Sequence, residues 1–445
     1  MYNERVIHGE PIDIAYGRHG LTVKVPAGWN PVVLRSAHQP PLADAGAAVG
    51  EALRNPVGCR PLWEIAEAAI RRAHAGGRGG PRVGIIVNDI TRATPNEYII
   101  PPIIDELLRA GVDERSITLF NATGTHRPNT RDELASMLGA DLAGRFPIVQ
   151  NDCENDTAYT LIGTTSAGND VRVLSEYLRQ DVRIATGFIE PHFFAGYSGG
   201  GKAVVPGLAH LTTILTNHGA KHMDHPDATW GRTEGNPLWE DLAQAASLAD
   251  PVFLVNVTMN SDKDVTGVYA GDRSAAHEAG CREVARHAIV PVEQAFDIVV
   301  TSNSGRPLDL NLYQAVKGMS AAGRIVRDGG EIVIAAECWD GLPRHGLFAD
   351  LVRGAESAEA LLDRLRTGEY RRDAWQAHIF ALLRRKARIT LVSDGIGPDD
   401  VPQALCELAP TVESALEAAA RRLGRTPSIC VLPDGPLTIP VLRDR

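Results

Sequence analysis

The stretch GYSGGGK at residues 196–202 has the spacing G-x-x-x-x-G-K, in which backbone N–H groups and a lysine converge on phosphate oxygens. A nucleotide triphosphatase needs a hydroxyl next, to hold Mg²⁺, and then a helix. Here the next residue is Ala203, and Pro206 with Gly207 stops a helix within about one turn. The loop therefore fits a phosphate or cofactor cradle, with Ser198, Gly199 and Gly200 offering backbone donors and Lys202 an amine. A nucleotide-dependent phosphotransfer enzyme stays open as the alternative.

Two histidines stand in comparable settings, His126 in ATGTHRPNT and His192 in EPHFFAG. An imidazole with an ordinary pKa of ~6.5 gives or takes a proton near neutrality. Two such groups facing one carbon from opposite sides suit a racemase or epimerase. His218 and His222 are spaced i,i+4, which puts both on one helix face and is compatible with a metal. Gly219 and Ala220 break the H-E-x-x-H pattern, so a zinc enzyme is a second alternative with a polar helix face as the plain reading. Arg92, close to Asp89 in NDITRATP, has the planar fork that grips a carboxylate; an Arg92–Asp89 ion pair that pins the loop accounts for the pattern equally well. Tyr313, Gln314 and Lys317 fall within about one helical turn, where Lys317 is either an anion contact across a cleft or a solvated lysine.

These residues need elements to position them. Apolar runs at 83–87, 117–120 and 182–188 read as buried strands, each ending in one of the polar clusters above, with a helix at 61–75 before the first and another at 98–110 between the first two. That alternation predicts a doubly wound α/β unit, whose ligands sit beyond the carboxyl ends of the strands. A smaller α/β unit is expected from about residue 290, with strands in 296–305, 331–341 and 388–397 and helices at 312–323, 356–366 and 372–385. The expected division is 1–280, opening on a meander at 11–35, and 290–428, with the tail 429–445 returning to the first unit. The site then lies in the cleft between two α/β domains.

The 445 residues carry a formal charge of −10, which disfavours general nucleic-acid binding. Any anionic substrate must therefore meet local cations. The six cysteines are scattered singly, with no C-x-x-C pair, the pattern of a reducing cytoplasm rather than a disulfide or zinc framework. The polar N-terminus has no signal-like apolar stretch, and no run of 18 apolar residues marks a membrane span.

Together DITRATP (89–95), ATGTHRPNT (122–130), HFFAGYSGGGKAVVPG (192–207), NH (217–218), EGNPL (234–238) and YQAVK (313–317) resemble the nickel-dependent lactate racemase family, in the family's order and over most of the chain. The resemblance implies a racemase or epimerase of a 2-hydroxy acid that works by reversible hydride transfer to a nickel-pincer nucleotide, through a 2-keto acid. It makes Lys202 the covalent tether and His218 the protein ligand to nickel. It makes His126 and His192 the two proton-transfer groups, Arg92 the carboxylate contact and Lys317 a second substrate contact. Asp89, Tyr313 and Gln314 match the surroundings, and Trp375 matches more loosely a tryptophan beside the pincer. Pincer-synthesis enzymes are implied as maturation partners. A non-catalytic carrier of the cofactor is the remaining alternative, against which the presence of both histidines argues. Ala93 departs from the proline that the family often carries there. The shared motifs leave the substrate side chain open among lactate, malate, short-chain, aromatic and sugar acids.

Overall fold

The computed structural model describes residues 3–6, 10–344, 346–368 and 370–443. Two sheets organise it. The first has six strands, ordered Val265–Asp272, Phe253–Met259, Val182–Phe188, Val83–Asn88, Ile117–Ala122 and Ile148–Gln150. All of its pairings are parallel except the antiparallel edge pair 253–259/265–272. Three of its inner strands, 83–88, 117–122 and 182–188, are almost wholly buried. This is why they read as unbroken apolar runs: helices cover both faces, so neither face needs polar alternation. The pairings Val182↔Val83 and Val83↔Ile117 make these three strands neighbours. Their carboxyl ends, which carry the three polar clusters, therefore lie side by side.

The second sheet has seven strands, ordered Asn3–Val6, Val32–Arg35, Ile429–Leu432, Phe296–Ser302, Val326–Ala335, Arg388–Val392 and Glu407–Leu408. Here sheet membership differs from the expected division. The strands 3–6 and 32–35 belong to the second sheet, not the first. Ile429–Leu432 also joins the second sheet, parallel to Phe296–Ser302 on one side and pairing Cys430 with Val32 on the other. The run ICVL is buried at every position, so it requires a central place with both faces covered. The last strand, Ile439–Leu442, pairs with Ile289–Val292 rather than with the first sheet. Of the expected opening meander, Ile12–Ile14 and Leu21–Val23 form a separate hairpin.

One apolar core spans both sheets, running from Ile86, Phe120 and Leu254 to Ile332, Ile334 and Phe380. A second core, around Leu62, Ile85, Ile99 and Val255, fills the far face of the first sheet. None of the six cysteines is in a disulfide, and among the described residues no helix is long and apolar enough to cross a membrane.

Two helices of the second half face the site. Leu312–Gly323 is capped by Asn311, whose Oδ1 accepts the Gln314 N–H at 3.1 Å. A Cβ on Gly318 would stand 2.1 Å from the Ser302 carbonyl oxygen. Only glycine lets this helix press on strand Phe296–Ser302, and that approach places Lys317 one residue earlier. Ala374–Lys386 packs beside it and carries Trp375.

Candidate active site

The carboxyl end of Val182–Phe188 runs into a tight hairpin, Pro191–His192 pairing with Gly196–Tyr197. Ser198 closes it: its Oγ donates to the Phe188 carbonyl at 3.1 Å and accepts the Glu190 N–H at 2.9 Å. Asn236, from the EGNPL motif, caps helix Pro237–Ser247 and donates its Nδ2 to the Phe194 carbonyl at 2.9 Å. After the hairpin, Gly200–Ala203 form one 3₁₀ turn, and the Gly207 N–H returns to the Lys202 carbonyl at 3.0 Å. No helix follows the lysine directly, unlike in a triphosphatase loop.

One cavity brings together Asp89, Arg92, His126, His192, Ser198, Gly199, Lys202, His218, Tyr313, Gln314, Lys317 and Trp375. Of the residues singled out in the sequence, His222 stays outside its wall, and so does Gly200. Its N–H donates to Asn256 Oδ1 at 2.8 Å, and a Cβ there would stand 2.6 Å from the His277 ring. Gly200 therefore packs the loop against its support. Ser198 does line the cavity, but its N–H donates to the Glu190 carbonyl at 2.9 Å, which takes that expected backbone donor away from the cradle; Gly199 also lines the cavity.

His126 Nδ1 lies 2.6 Å from Asp89 Oδ2, and Thr91 Oγ1 donates to the other carboxylate oxygen at 2.8 Å. Burial raises the Asp89 pKa, but the charge and hydrogen bond of His126 outweigh it and hold the carboxyl below its usual range. An ionised Asp89 keeps a proton on His126 Nδ1 and leaves Nε2 for a ligand. Asp89 is thus the partner of His126. The alternative Arg92–Asp89 pin is not seen: Arg92 Nη1 faces Glu190 Oε1 at 3.5 Å and has no hydrogen-bond partner.

His192 is buried, its ring 4.5 Å from that of Phe194, with the Ala195 N–H 3.3 Å from Nδ1. Burial, followed by Lys202, Lys317 and Arg92, pushes its pKa well below the ordinary value. The cavity thus gathers three cations, Arg92, Lys202 and Lys317, within a chain of net negative charge. Burial, then Arg92, lowers the Lys202 amine to about 7, so near neutrality a large fraction is the free, nucleophilic amine. Burial also lowers Lys317, which Glu190 partly restores. Nothing in the spacing marks Glu190, two residues before His192, as the group that faces both Arg92 and Lys317.

His218 caps helix Leu211–Asn217 and is packed edge-on between the rings of Phe194 and Trp375, each 5.2 Å away. Its Nδ1 is buried with no hydrogen-bond partner, and burial holds the ring neutral. His222 turns elsewhere, its Nδ1 2.7 Å from the Asn217 carbonyl. Among the described residues no three His, Cys, Asp or Glu side chains converge as a metal site, which removes the support for a zinc enzyme built on His218 and His222. Trp375 Nε1 donates to the Tyr313 hydroxyl at 2.9 Å. From the second half, Arg372 donates to the Thr125 carbonyl and pairs with Glu154 at 3.4 Å, securing the loop that carries His126.

Family comparison agrees with this geometry. The lactate racemase N-terminal domain matches residues 16–231, and the lactate racemase C-terminal domain matches residues 292–440. The chain belongs to the lactate racemase family. It is 36% identical over 389 residues to a lactate racemase of Lactiplantibacillus plantarum, covering 87% of this chain and 89% of that protein. It is 33% identical over 429 residues to the lactate racemase of Thermoanaerobacterium thermosaccharolyticum, covering 95% and 97%. The structure of the lactate racemase apoprotein from the latter organism superposes with a TM-score of 0.86, over 98% of this chain and 100% of that one. A Thermotoga maritima protein, 18% identical, shares the fold with a TM-score of 0.66 over 85% and 98% of the two chains. The two matched domains of this racemase family join at the cavity, since Tyr313, Gln314, Lys317 and Trp375 come from one and the remaining cavity residues named above from the other.

Proposed function

We propose that this protein inverts C2 of a short 2-hydroxy acid such as lactate, with a nickel-pincer nucleotide tethered through Lys202. The observation that carries the proposal is the convergence of two histidines, three cations and one buried, unpartnered imidazole nitrogen on a single cavity. The residues fit the cofactor. Lys202 is an amine able to form a covalent thioamide, and His218 Nδ1 is a buried donor without a hydrogen-bond partner where, among the described residues, no three metal-ligating side chains gather, as suits a metal whose other donors are organic. When bound, the cofactor would supply a hydride acceptor, so that C2 of the substrate need not become a free carbanion.

Arg92 and Lys317 hold the substrate carboxylate, Arg92 through its planar fork. Tyr313 and Gln314 close the wall beside it, and Gln314 Oε1 is buried without a partner. Each inversion requires one histidine to accept the hydroxyl proton and the other to return one. Asp89 orients His126 through the 2.6 Å contact to its Nδ1. Burial, then Lys317 and Arg92, keeps His192 neutral, the tether having removed the Lys202 charge, and the substrate carboxylate offsets those two cations.

The test uses protein coexpressed with pincer-synthesis enzymes, checked by intact mass and nickel content, and a hydroxy acid deuterated at C2. Deuterium retained in the inverted product is expected. Loss of the label to water would overturn the hydride route, and a mass unchanged at Lys202 would overturn the tether.

A further inference from the structure

Two smaller hollows open off the central cavity, one beside each histidine. The first shares Asp89, His126, Tyr313 and Gln314 with it and is walled by Ile90, Leu310 and Pro343. Thr91, Arg127, Asn129, Asn311, Asp340 and Asp373 complete that wall, and each has a partner: Thr91 with Asp89, Arg127 with Glu133, Asn129 with Asn121, Asn311 with the Gln314 N–H, Asp340 with Asn311 and Asp373 with the Leu347 N–H. Ile90 and Leu310 are only partly buried and so present apolar surface to the hollow. The second shares His192, Phe193 and Lys317 with the cavity and is walled by Pro191, Trp230, Leu308 and Pro436. The hollows differ in size, about 30 Å³ against about 10 Å³. On that measure a single water needs ~10–15 Å³. The first therefore takes two or three non-hydrogen atoms and the second takes one.

This asymmetry has a stereochemical meaning that rests on the proposed racemase reading. If the carboxylate stays on Arg92 and Lys317, and C2–H points the same way in both hands of the substrate, inversion exchanges the hydroxyl with the remaining substituent. The hydroxyl of one hand faces His126 and that of the other faces His192. The substituent of each hand then lies beside the opposite histidine.

We infer that the hollows beside His126 and His192 are unequal pockets for an apolar aliphatic substituent, each used by one enantiomer, with the smaller one setting the chain-length limit. A methyl group fits both. An ethyl or propyl group fits only the hollow of Ile90, Leu310 and Pro343.

The test measures KM for both hands of lactate, 2-hydroxybutanoate and 2-hydroxypentanoate with the cofactor-loaded enzyme. KM values should be similar for the two hands of lactate and diverge by about tenfold for each added carbon. Because enantiomers have equal free energy, kcat must diverge by the same factor. Leu310→Phe, which fills the larger hollow, should return the 2-hydroxybutanoate ratio towards one. Ile90→Ala, which enlarges it, should widen the ratio for 2-hydroxypentanoate. If KM rises equally for both hands and neither variant moves the ratio, the unequal pockets are overturned while the racemase reading stands. If none of these acids is inverted by protein carrying adduct and nickel, the racemase reading falls, and the pockets with it.

Discussion

His126 Nδ1 and Asp89 Oδ2 are 2.6 Å apart, and they come from the ends of two adjacent parallel strands. The bond fixes which ring nitrogen faces the cavity. Asp89→Asn should leave the fold intact and lower kcat by roughly 10²–10⁴-fold, with little change in KM, as when a histidine loses the carboxylate that sets its tautomer. Steady-state kinetics of the loaded variant check this. A fall in kcat of less than about threefold would mean that Asp89 only anchors its loop.

His192 and His222 are both buried histidines, but only His192 lines the cavity. His192→Ala and His126→Ala should each lower kcat by at least about 10²-fold. His222→Ala should lose stability through its bond to Asn217 while the correctly loaded fraction keeps its activity. Equal losses per nickel-loaded chain at all three positions would undo the assignment of roles.

Tether and metal ligand separate in their readouts. Lys202→Ala should show neither the mass increment nor nickel. His218→Ala should keep the increment and lose most of the nickel. Nickel retained at one equivalent by His218→Ala would place the metal elsewhere.

Lys202 carries a pH signature. Its amine is lowered to about 7 in the folded protein, against ~10.4 when unfolded. Between those values the unfolded chain binds more protons, so this lysine's contribution to stability rises with pH from about 7 towards 10. Cofactor-free protein should therefore gain Tm between pH 7 and pH 9 relative to Lys202→Met. The variant should be the more stable of the two at pH 7, by a few degrees. Parallel pH profiles would mean that the amine is charged in the folded state.

Much of the site was legible because each piece ends an apolar run. Val83–Asn88, Ile117–Ala122 and Val182–Phe188 announce themselves by continuous burial, and a polar cluster at a strand's carboxyl end is where an α/β sheet places its ligands. The helix bearing Tyr313, Gln314 and Lys317 was equally plain from its period. Spacing did not reveal which donors of the glycine loop point inwards. Gly200 turns its N–H to Asn256, and Ser198 turns its N–H to the Glu190 carbonyl. Glu190 was masked by its neighbours in the motif, since its role appears only when Arg92 and Lys317 arrive from other elements. The pairing of Val32 with Cys430 was the least legible feature, because a short buried strand carries no mark of its partner.

That pairing bears on how the protein is made. The first sheet has all its strands once residue 272 is synthesised, whereas the second must hold the strands Asn3–Val6 and Val32–Arg35 open for Ile429–Leu432. The beginning of the chain thus waits for its end. During translation the cavity has its Lys202 wall long before its Lys317 and Trp375 wall is seated. The nascent chain therefore has the segment of Lys202, the proposed tether, before the sheet that supports the opposite wall is complete.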